Sequence, residues 1–174
     1  MHKKPAQKGF TIVETLVAIT VLMIAIAGPL SIASKSLTAA VTSRDQFVAS
    51  YLAQESLEVV KNIRDNDLAT GSSWLASPSA INLNTCIASN PCDASSIDSP
   101  TILNGQTSAY RLYQASNGYS HTTGSASTIS PFSREFYLTQ VTANEYAVTV
   151  SVAWNEGSIP YSIIVSNTII NNPR

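Results

Sequence analysis

One carboxylate of this chain, that of Glu14, lies at the start of a long apolar segment, where a charge is unexpected. Glu14 is the only charged residue between Lys8 and Lys35, and the twenty residues from Thr15 to Ser34 carry no charge. A carboxylate near the entry of an apolar helix costs on the order of a few kcal/mol, even on lenient insertion scales. The chemistry that Glu14 can do is therefore charge pairing, and it needs a partner.

The apolar run offers Glu14 no Lys, Arg or His as a partner. If the chain is cut after Gly9, the new amine of Phe10 lies one helical turn from Glu14 in the same chain. Between neighbouring chains that are staggered along an axis, the amine of one meets the carboxylate of the next. Such a pair neutralises both charges in a dry environment, where an unpaired charge is least tolerated.

The two cysteines, Cys86 and Cys92, are the second set of reactive side chains, and five residues separate them. No further cysteine pair and no nearby histidine completes a zinc site, and the spacing excludes a thioredoxin-like motif. Outside a membrane the environment is oxidising, so we expect a local disulfide. By the loop-entropy model this bond adds about 2 kcal/mol.

The sequence contains no set of residues that predicts catalysis. His121 is the only histidine beyond the basic leader, and it lies in a Ser/Gly segment without a nearby acid, which predicts a surface residue. Asp93 and Asp98 flank the cysteine loop, but two carboxylates without EF-hand spacing are a weak signal for calcium. We predict no catalytic residue, no metal site and no cofactor. The charges of the later helix, such as Glu55, are expected to form a solvated face.

The uncharged run is long enough to cross a membrane. At about 1.5 Å per residue, twenty helical residues span about 30 Å, the thickness of the hydrocarbon core of a bilayer. Lys3, Lys4 and Lys8 precede it, which predicts an N-terminus in the cytoplasm and a head outside. A secretory signal peptide would have a shorter apolar region that ends at a small-residue cleavage site. A plain anchor does not account for Glu14.

The segment around Glu14 resembles the processing motif of the type IV prepilin family, which includes the pseudopilins of type II secretion. The resemblance rests on the sequence Lys8-Gly9-Phe10-Thr11-Ile12-Val13-Glu14-Thr15-Leu16-Val17-Ala18. It implies that a peptidase cuts after Gly9 and methylates the amine of Phe10, and that Glu14 is an assembly carboxylate. It also implies several partners: other pilin or pseudopilin subunits, the prepilin peptidase, an inner-membrane platform protein, an assembly ATPase and, before assembly, membrane lipid.

Gly28 and Pro29 interrupt the apolar run. Proline lacks an amide hydrogen and clashes with the preceding turn, so we expect a kink or local unwinding here. The resemblance implies that this helix loosens in the same region of assembled filaments. A harmless kink in a membrane helix is the alternative.

Beyond Ser34 the helix is predicted to become amphipathic and to continue to about Arg64–Leu68. Asn66, Thr70 and Gly71 supply a stop signal. The apolar residues recur at spacings of four and seven, which places them on one helix face. They are Leu37, Val41, Val48, Leu52, Val59 and Ile63.

The remainder of the chain is predicted to form a loop region followed by a sheet. Gly71 to Ser108 is rich in Ser, Asn, Pro and Ala and is expected to be a surface loop with short helical turns, such as Ser73–Ala76. Ala115–Ser130 is also expected to be loop. Alternation of apolar and polar residues predicts antiparallel strands. They lie at Tyr110–Gln114, Arg134–Val141, Tyr146–Trp154 and Ile159–Ile170, with a turn at Asn155–Ser158.

These elements give an α+β, type IV pilin-like fold with one long N-terminal helix (about residues 10–66) packed on an antiparallel sheet of three or four strands. The predicted organisation is a cleaved leader (1–9), a transmembrane or filament-core half-helix (10–34) and a globular head (35–174).

Charge and composition limit the functions that fit this fold. Three of the ten basic residues precede Gly9 and none of the eleven acids does, so the processed chain carries seven against eleven, a net of −4. That balance does not support a broad grip on nucleic acid. Only 12% of the residues are charged, which suits an extracellular or filament-packed protein.

We therefore expect a structural subunit, a minor pilin or pseudopilin, and not an enzyme. A pilus, a secretion pseudopilus and a DNA-uptake filament fit the sequence equally. The alternative is a solitary, single-span membrane-anchored binding or adhesion module. An anchored hydrolase fails for lack of a nucleophile–base pair.

Overall fold

The structure is a computed structural model that describes residues 9–71, 74–75, 82–94, 101–102, 111–121 and 127–171. The predicted leader up to Lys8, Asp98, and Ser73 and Ala76 of the predicted turn lie outside the described residues. The chain divides into two compact units, with the boundary between Arg44 and Asp45.

A single helix, α1, runs from Ile12 to Ala69 and contains 58 residues. Thr11 precedes it, and its hydroxyl accepts a hydrogen bond from the backbone N–H of Glu14. At the other end Gly71 has a φ of 71°, a left-handed conformation that glycine adopts without strain, and its N–H donates to the carbonyl of Leu68. The predicted stop signal is thus confirmed, and the helix ends close to the predicted position.

The helical assignment continues through Gly28 and Pro29. The local unwinding that the sequence led us to expect there stays a prediction. No atom outside the local backbone lies within 4 Å of the position that a Cβ on Gly28 would occupy, so packing within the chain does not require glycine at this site.

In the second unit, α1 packs on the sheet through a face of mostly small and aliphatic residues. The buried members of this face are Ala49, Leu52, Ala53, Ser56, Leu57 and Val60. Ala49 and Ala53 are among those that are fully buried. The predicted stripe is therefore only partly confirmed, because Leu52 is buried but Val48, Val59 and Ile63 pack at the margin of the core, and Leu37 and Val41 are exposed.

The described strands form one antiparallel sheet. They are β1 (Cys92–Asp93), β2 (Thr101–Ile102), β3 (Arg111–Ala115), β4 (Gly118–Ser120), β5 (Thr128–Thr142), β6 (Glu145–Glu156) and β7 (Ile159–Ile170). β5 is the centre: it pairs with β6 on one side and with β3 and β1 on the other, while β7 pairs with β6. All four predicted strands exist and the fold class is confirmed, but the described sheet has seven strands where three or four were predicted.

Two tight turns join the three long strands. Gly157 has a φ of 62° in the turn between β6 and β7, as its predicted role requires. The register brings apolar residues of the three strands onto one face, which packs against α1. The fully or nearly buried members are Phe132, Phe136, Leu138, Val148, Val150, Val152, Trp154 and Ile169.

The prediction of surface loop was wrong for two segments. Leu83, Cys86, Cys92 and Ala94 are buried, Leu83–Thr85 forms a short 3-10 helix, and β1 lies on β5. The region between β3 and β5 contains β4, and β5 itself begins at Thr128. Strands of two or three residues have too few positions to show alternation, so only their pairing with a longer strand identifies them.

Candidate functional site

The residues of the candidate processing site lie at the exposed start of α1. Gly9 and Phe10 precede the helix, and 80% of Phe10 is exposed. A Cβ on Gly9 would have no neighbouring atom within 4 Å. The packing of the described residues therefore does not require glycine at position 9.

Thr11 has a local structural role that we did not predict, and Glu14 lies at the position that a capping box gives to its glutamate. The backbone N–H of Glu14 donates to the Thr11 hydroxyl over 3.3 Å, and the N–H of Thr15 donates to the Thr11 carbonyl over 3.1 Å. Thr11 is thus the N-cap residue, and Thr11 followed three residues later by Glu14 is the signature of a capping box. The signal was present in the sequence. A helix start that needs Glu14 for capping is an alternative to a role in assembly.

The apolar surface of α1 is not covered by the described part of the chain. Every residue from Gly9 to Val41 is exposed. The helix is long and apolar enough to cross a membrane, and no part of its most apolar window is buried. A core helix of a soluble domain would bury such a window. This surface is consistent with a membrane anchor.

The disulfide predicted between Cys86 and Cys92 is confirmed. Their Cα atoms are 5.4 Å apart. Both cysteines are fully buried. Cys92 lies in β1 opposite Phe136, and the Cys86 carbonyl accepts a hydrogen bond from the N–H of Leu138 over 2.7 Å. The bond therefore does more than close a surface loop. The disulfide thus lies within the sheet.

A buried ion cluster lies beside this disulfide. The guanidinium of Arg134 is fully buried on β5, and its Nε donates to Oδ1 of Asp93 over 2.7 Å. Its Nη1 donates to Oε2 of Glu55 over 2.9 Å and to the Leu52 carbonyl over 3.1 Å, and its Nη2 lies 3.4 Å from Oδ2 of Asp93. One side chain thereby joins α1, β1 and β5.

His121 completes the cluster. Its Nδ1 lies 3.3 Å from Oδ2 of Asp93, and its side chain is 7% exposed. The prediction that His121 is a surface residue without a nearby acid was wrong, because the acid comes from 28 positions earlier in the chain and only the fold brings the two together. The Asp93 carboxylate contacts Arg134 and His121, so this cluster, and not calcium binding, explains a carboxylate beside the cysteine loop. The described residues contain no group of three or more His, Cys, Asp or Glu side chains that could hold a metal.

The electrostatics of the cluster favour its charged forms. Burial would raise the pKa of Asp93, but the hydrogen bond from His121 and the charge and hydrogen bonds of Arg134 hold that pKa below its ordinary value of 3.8. Burial would lower the pKa of Arg134, but the charges of Asp93 and Glu55 raise it. Opposite charges in a poorly solvated site stabilise each other in this way.

The sequence contains a signal for this cluster that went unrecognised. Arg134 has the same strand parity as Phe132, Phe136 and Leu138, so alternation places it on the core face of β5. An arginine on a core face requires a buried acceptor. Glu55, expected on a solvated face, supplies part of the acceptor set, and its side chain is 25% exposed.

Replacing Arg134 should destabilise the head strongly. Arg134→Met leaves the Asp93 carboxylate buried without its main partner, and we expect the free energy of unfolding to fall by about 3–5 kcal/mol. Arg111→Met, on an exposed arginine of β3, should change it by less than about 0.5 kcal/mol. Denaturant unfolding of the detergent-solubilised chain, followed by tryptophan fluorescence, measures both. The double variant Arg134→Met, Asp93→Leu should recover much of the loss, and equal effects of the two arginine variants would contradict the assignment.

The cluster should also make stability depend on pH. Because the pKa of Asp93 is lower in the folded chain than its ordinary 3.8, its ionised form contributes stability that is fully present above that value and is lost as the pH falls through the lowered pKa. Asp93→Asn cannot respond in this way. The difference in unfolding free energy between wild type and Asp93→Asn should therefore shrink between neutral pH and about pH 3. A difference that stays constant over this range would rule out the ionised pair.

Comparison with known proteins adds one match, and it covers the N-terminal site. Residues 4–28 match the family model described as the prokaryotic N-terminal methylation motif. No curated protein and no solved structure matches the chain. The match includes Gly9, Phe10 and Glu14, and together with the long apolar helix and the α+β head it supports the type IV pilin and pseudopilin family.

Proposed function

We propose that this chain is a filament subunit, a minor pilin or pseudopilin, that is cleaved after Gly9 and assembled through α1. The observation that carries the proposal is an apolar helix surface exposed from Gly9 to Val41 that begins with the methylation motif. In the membrane, lipid covers that surface. In a filament, the same helices of neighbouring subunits cover it, with the heads outside.

The continuity of α1 supports this function over a cleaved secretory signal. The helix passes from the apolar segment to residues that pack on the sheet without an intervening loop. Removal of the apolar segment by a signal peptidase would cut through this helix, whereas cleavage after Gly9 leaves it whole.

Glu14 is the residue that we propose to direct assembly. In the proposed filament its carboxylate pairs with the methylated amine of Phe10 in a neighbouring subunit, and the pair replaces two unpaired charges in an apolar bundle. The assembly ATPase, the platform protein and the choice between a pilus and a secretion pseudopilus belong to this proposal. A solitary membrane-anchored binding module would share the anchor but would need neither cleavage nor a charge partner for Glu14.

Processing provides the first test. Gly9→Val should leave the leader attached and prevent assembly, because the peptidase requires a residue without a side chain, while the fold is unchanged because the position is open. Gly28→Ala, at another glycine with open surroundings, should be processed normally. N-terminal sequencing and intact mass of the membrane form decide both. Finding Met1 on assembled wild-type protein would falsify the filament proposal.

The charge of Glu14 provides the second test, and Glu14→Gln separates the two roles. Glutamine also forms a capping box, so a purely local role predicts normal behaviour. Pairing with Phe10 predicts a variant that is processed and resides in the membrane but is poorly incorporated, since stranding one partner of a buried pair costs about 3–5 kcal/mol.

Quantifying the subunit in membrane and sheared-filament fractions gives the result. Glu14→Val should behave like Glu14→Gln. Glu58→Gln, at an exposed glutamate of the same helix, serves as the matched control. Normal incorporation of Glu14→Gln would show that capping is sufficient and would remove the pairing argument.

A further inference from the structure

The outer strand β7 presents a long edge of the sheet. β7 pairs with β6 along all twelve of its residues, and within the described part of the chain no strand lies on its other side. None of the twelve residues is charged. Folded proteins usually protect such an edge with charge, proline, bulges or very short strands. β2 and β4, with two and three residues, follow that rule, whereas β7 is twelve residues long and its only such device is Pro160 near its start.

The hydrogen bonds at the end of β7 show which backbone groups face the open edge. In an antiparallel strand, successive residues direct their backbone groups to opposite sides. The N–H of Asn171 donates to Asn144, in the turn before β6, so odd-numbered residues face β6. The N–H of Thr168 donates instead to the Asn167 side chain over 2.8 Å, and the Ile170 carbonyl accepts from Arg64 over 3.2 Å. Even-numbered residues therefore face the edge.

Both ends of this edge are blocked, and the middle is open. Pro160, at an even position near the start, has no N–H to offer. At the far end the side chains of Asn167 and Arg64 occupy the backbone groups of Thr168 and Ile170. Between them the backbone N–H and C=O groups of Ser162, Ile164 and Ser166 point outward. The open window is thus five residues long and has three donors and three acceptors.

The side chains of the window define what can pair with it. Ile164 is 67% exposed on the outer face of the sheet, while Ile163 and Val165 are half-buried at the edge of the core. An added strand would cover these side chains. A charge on that strand would be desolvated beside residues that cannot pair with it, whereas an aliphatic residue at its centre would pack on Ile164.

We infer that the edge of β7 from Ser162 to Ser166 accepts an extended, uncharged strand with an aliphatic centre, supplied by another polypeptide. Main-chain hydrogen bonds would provide affinity, and packing of an aliphatic side chain on Ile164 would provide selectivity. A second copy of this chain is the other occupant that the test must separate, because β7 is itself an uncharged strand with aliphatic residues at its centre.

Binding of a defined peptide to the full chain in detergent micelles tests the inference. The probe is a fluorescent peptide with the sequence Ser-Ile-Ile-Val-Ser, flanked by lysines for solubility and followed by anisotropy. Two further versions carry methyl groups on the backbone nitrogens of alternate residues, either the first, third and fifth or the second and fourth. In strand addition only one of these sets faces β7, so one version should bind and the other should not.

Variants of the chain locate the binding at the edge. Ser162→Pro removes one outward N–H without changing the bonds to β6, and we expect affinity to fall roughly tenfold or more. Ile164→Lys should also weaken binding. Thr139→Lys, which places the same charge at an exposed residue of β5 on the same face of the sheet, should not. Circular dichroism checks that each variant is folded.

Several results would overturn the inference. They are failure of the unmethylated peptide to bind, equal binding of both methylated versions, and full affinity of a folded Ser162→Pro chain. A further contradicting result would come from sedimentation of the chain without peptide. Self-association that Ser162→Pro abolishes would show that a second copy occupies the edge. The result does not depend on the proposed filament, because processing and incorporation are measured separately.

Discussion

The head of this protein depends on one buried guanidinium. Arg134 lies at the centre of β5, and its donors reach a helix carbonyl, a carboxylate on α1 and a carboxylate on β1. An arginine at a core position is tolerated only if its donors are satisfied, so this residue fixes which surfaces can approach β5. It determines how α1 lies on the sheet, and it fixes the segment that carries the disulfide.

The disulfide and the ion cluster support each other. Cys92 and Asp93 are consecutive, so the bond that closes the loop and the carboxylate that binds Arg134 are held by the same short strand. The bond between Cys86 and Cys92 reduces the freedom of the unfolded loop, and the charge pair gives the loop a fixed place on the sheet. A segment rich in Ser and Asn, with few apolar residues of its own, becomes part of the core in this way.

The chain contains two apolar surfaces, one buried in the core and the other exposed. The residues of α1 beyond Asp45 that pack on the sheet are buried in the core, among them Ala49 and Ala53. Residues 9–41 of α1 are covered by nothing in the described part of the chain, and the stretch from Thr15 to Ser34 carries no charge. A head with its own core and an uncovered helix fit the proposed filament subunit. The uncharged edge of β7 has the same character on a smaller scale.

The sequence by itself determined the features that depend on local order along the chain. Charge spacing and the motif made Gly9, Phe10 and Glu14 candidate site residues. Hydrophobic patterning identified α1 and the three long strands, because helix and strand periods appear in consecutive residues. The disulfide followed from there being only two cysteines. The capping box and the strand parity of Arg134 are equally local, and both can be read from the sequence.

Only the tertiary structure decided which distant residues meet. Arg134 forms hydrogen bonds to Asp93, which lies 41 positions earlier, and to Glu55, which lies 79 positions earlier. No periodicity connects such positions. The short strand β1 exists because β5 supplies its hydrogen-bond partners, and it could not be recognised from two residues. The fold likewise decided that Leu37 and Val41 are exposed whereas Ala49 and Ala53 are buried, since burial depends on where the sheet meets the helix and not on hydrophobicity alone.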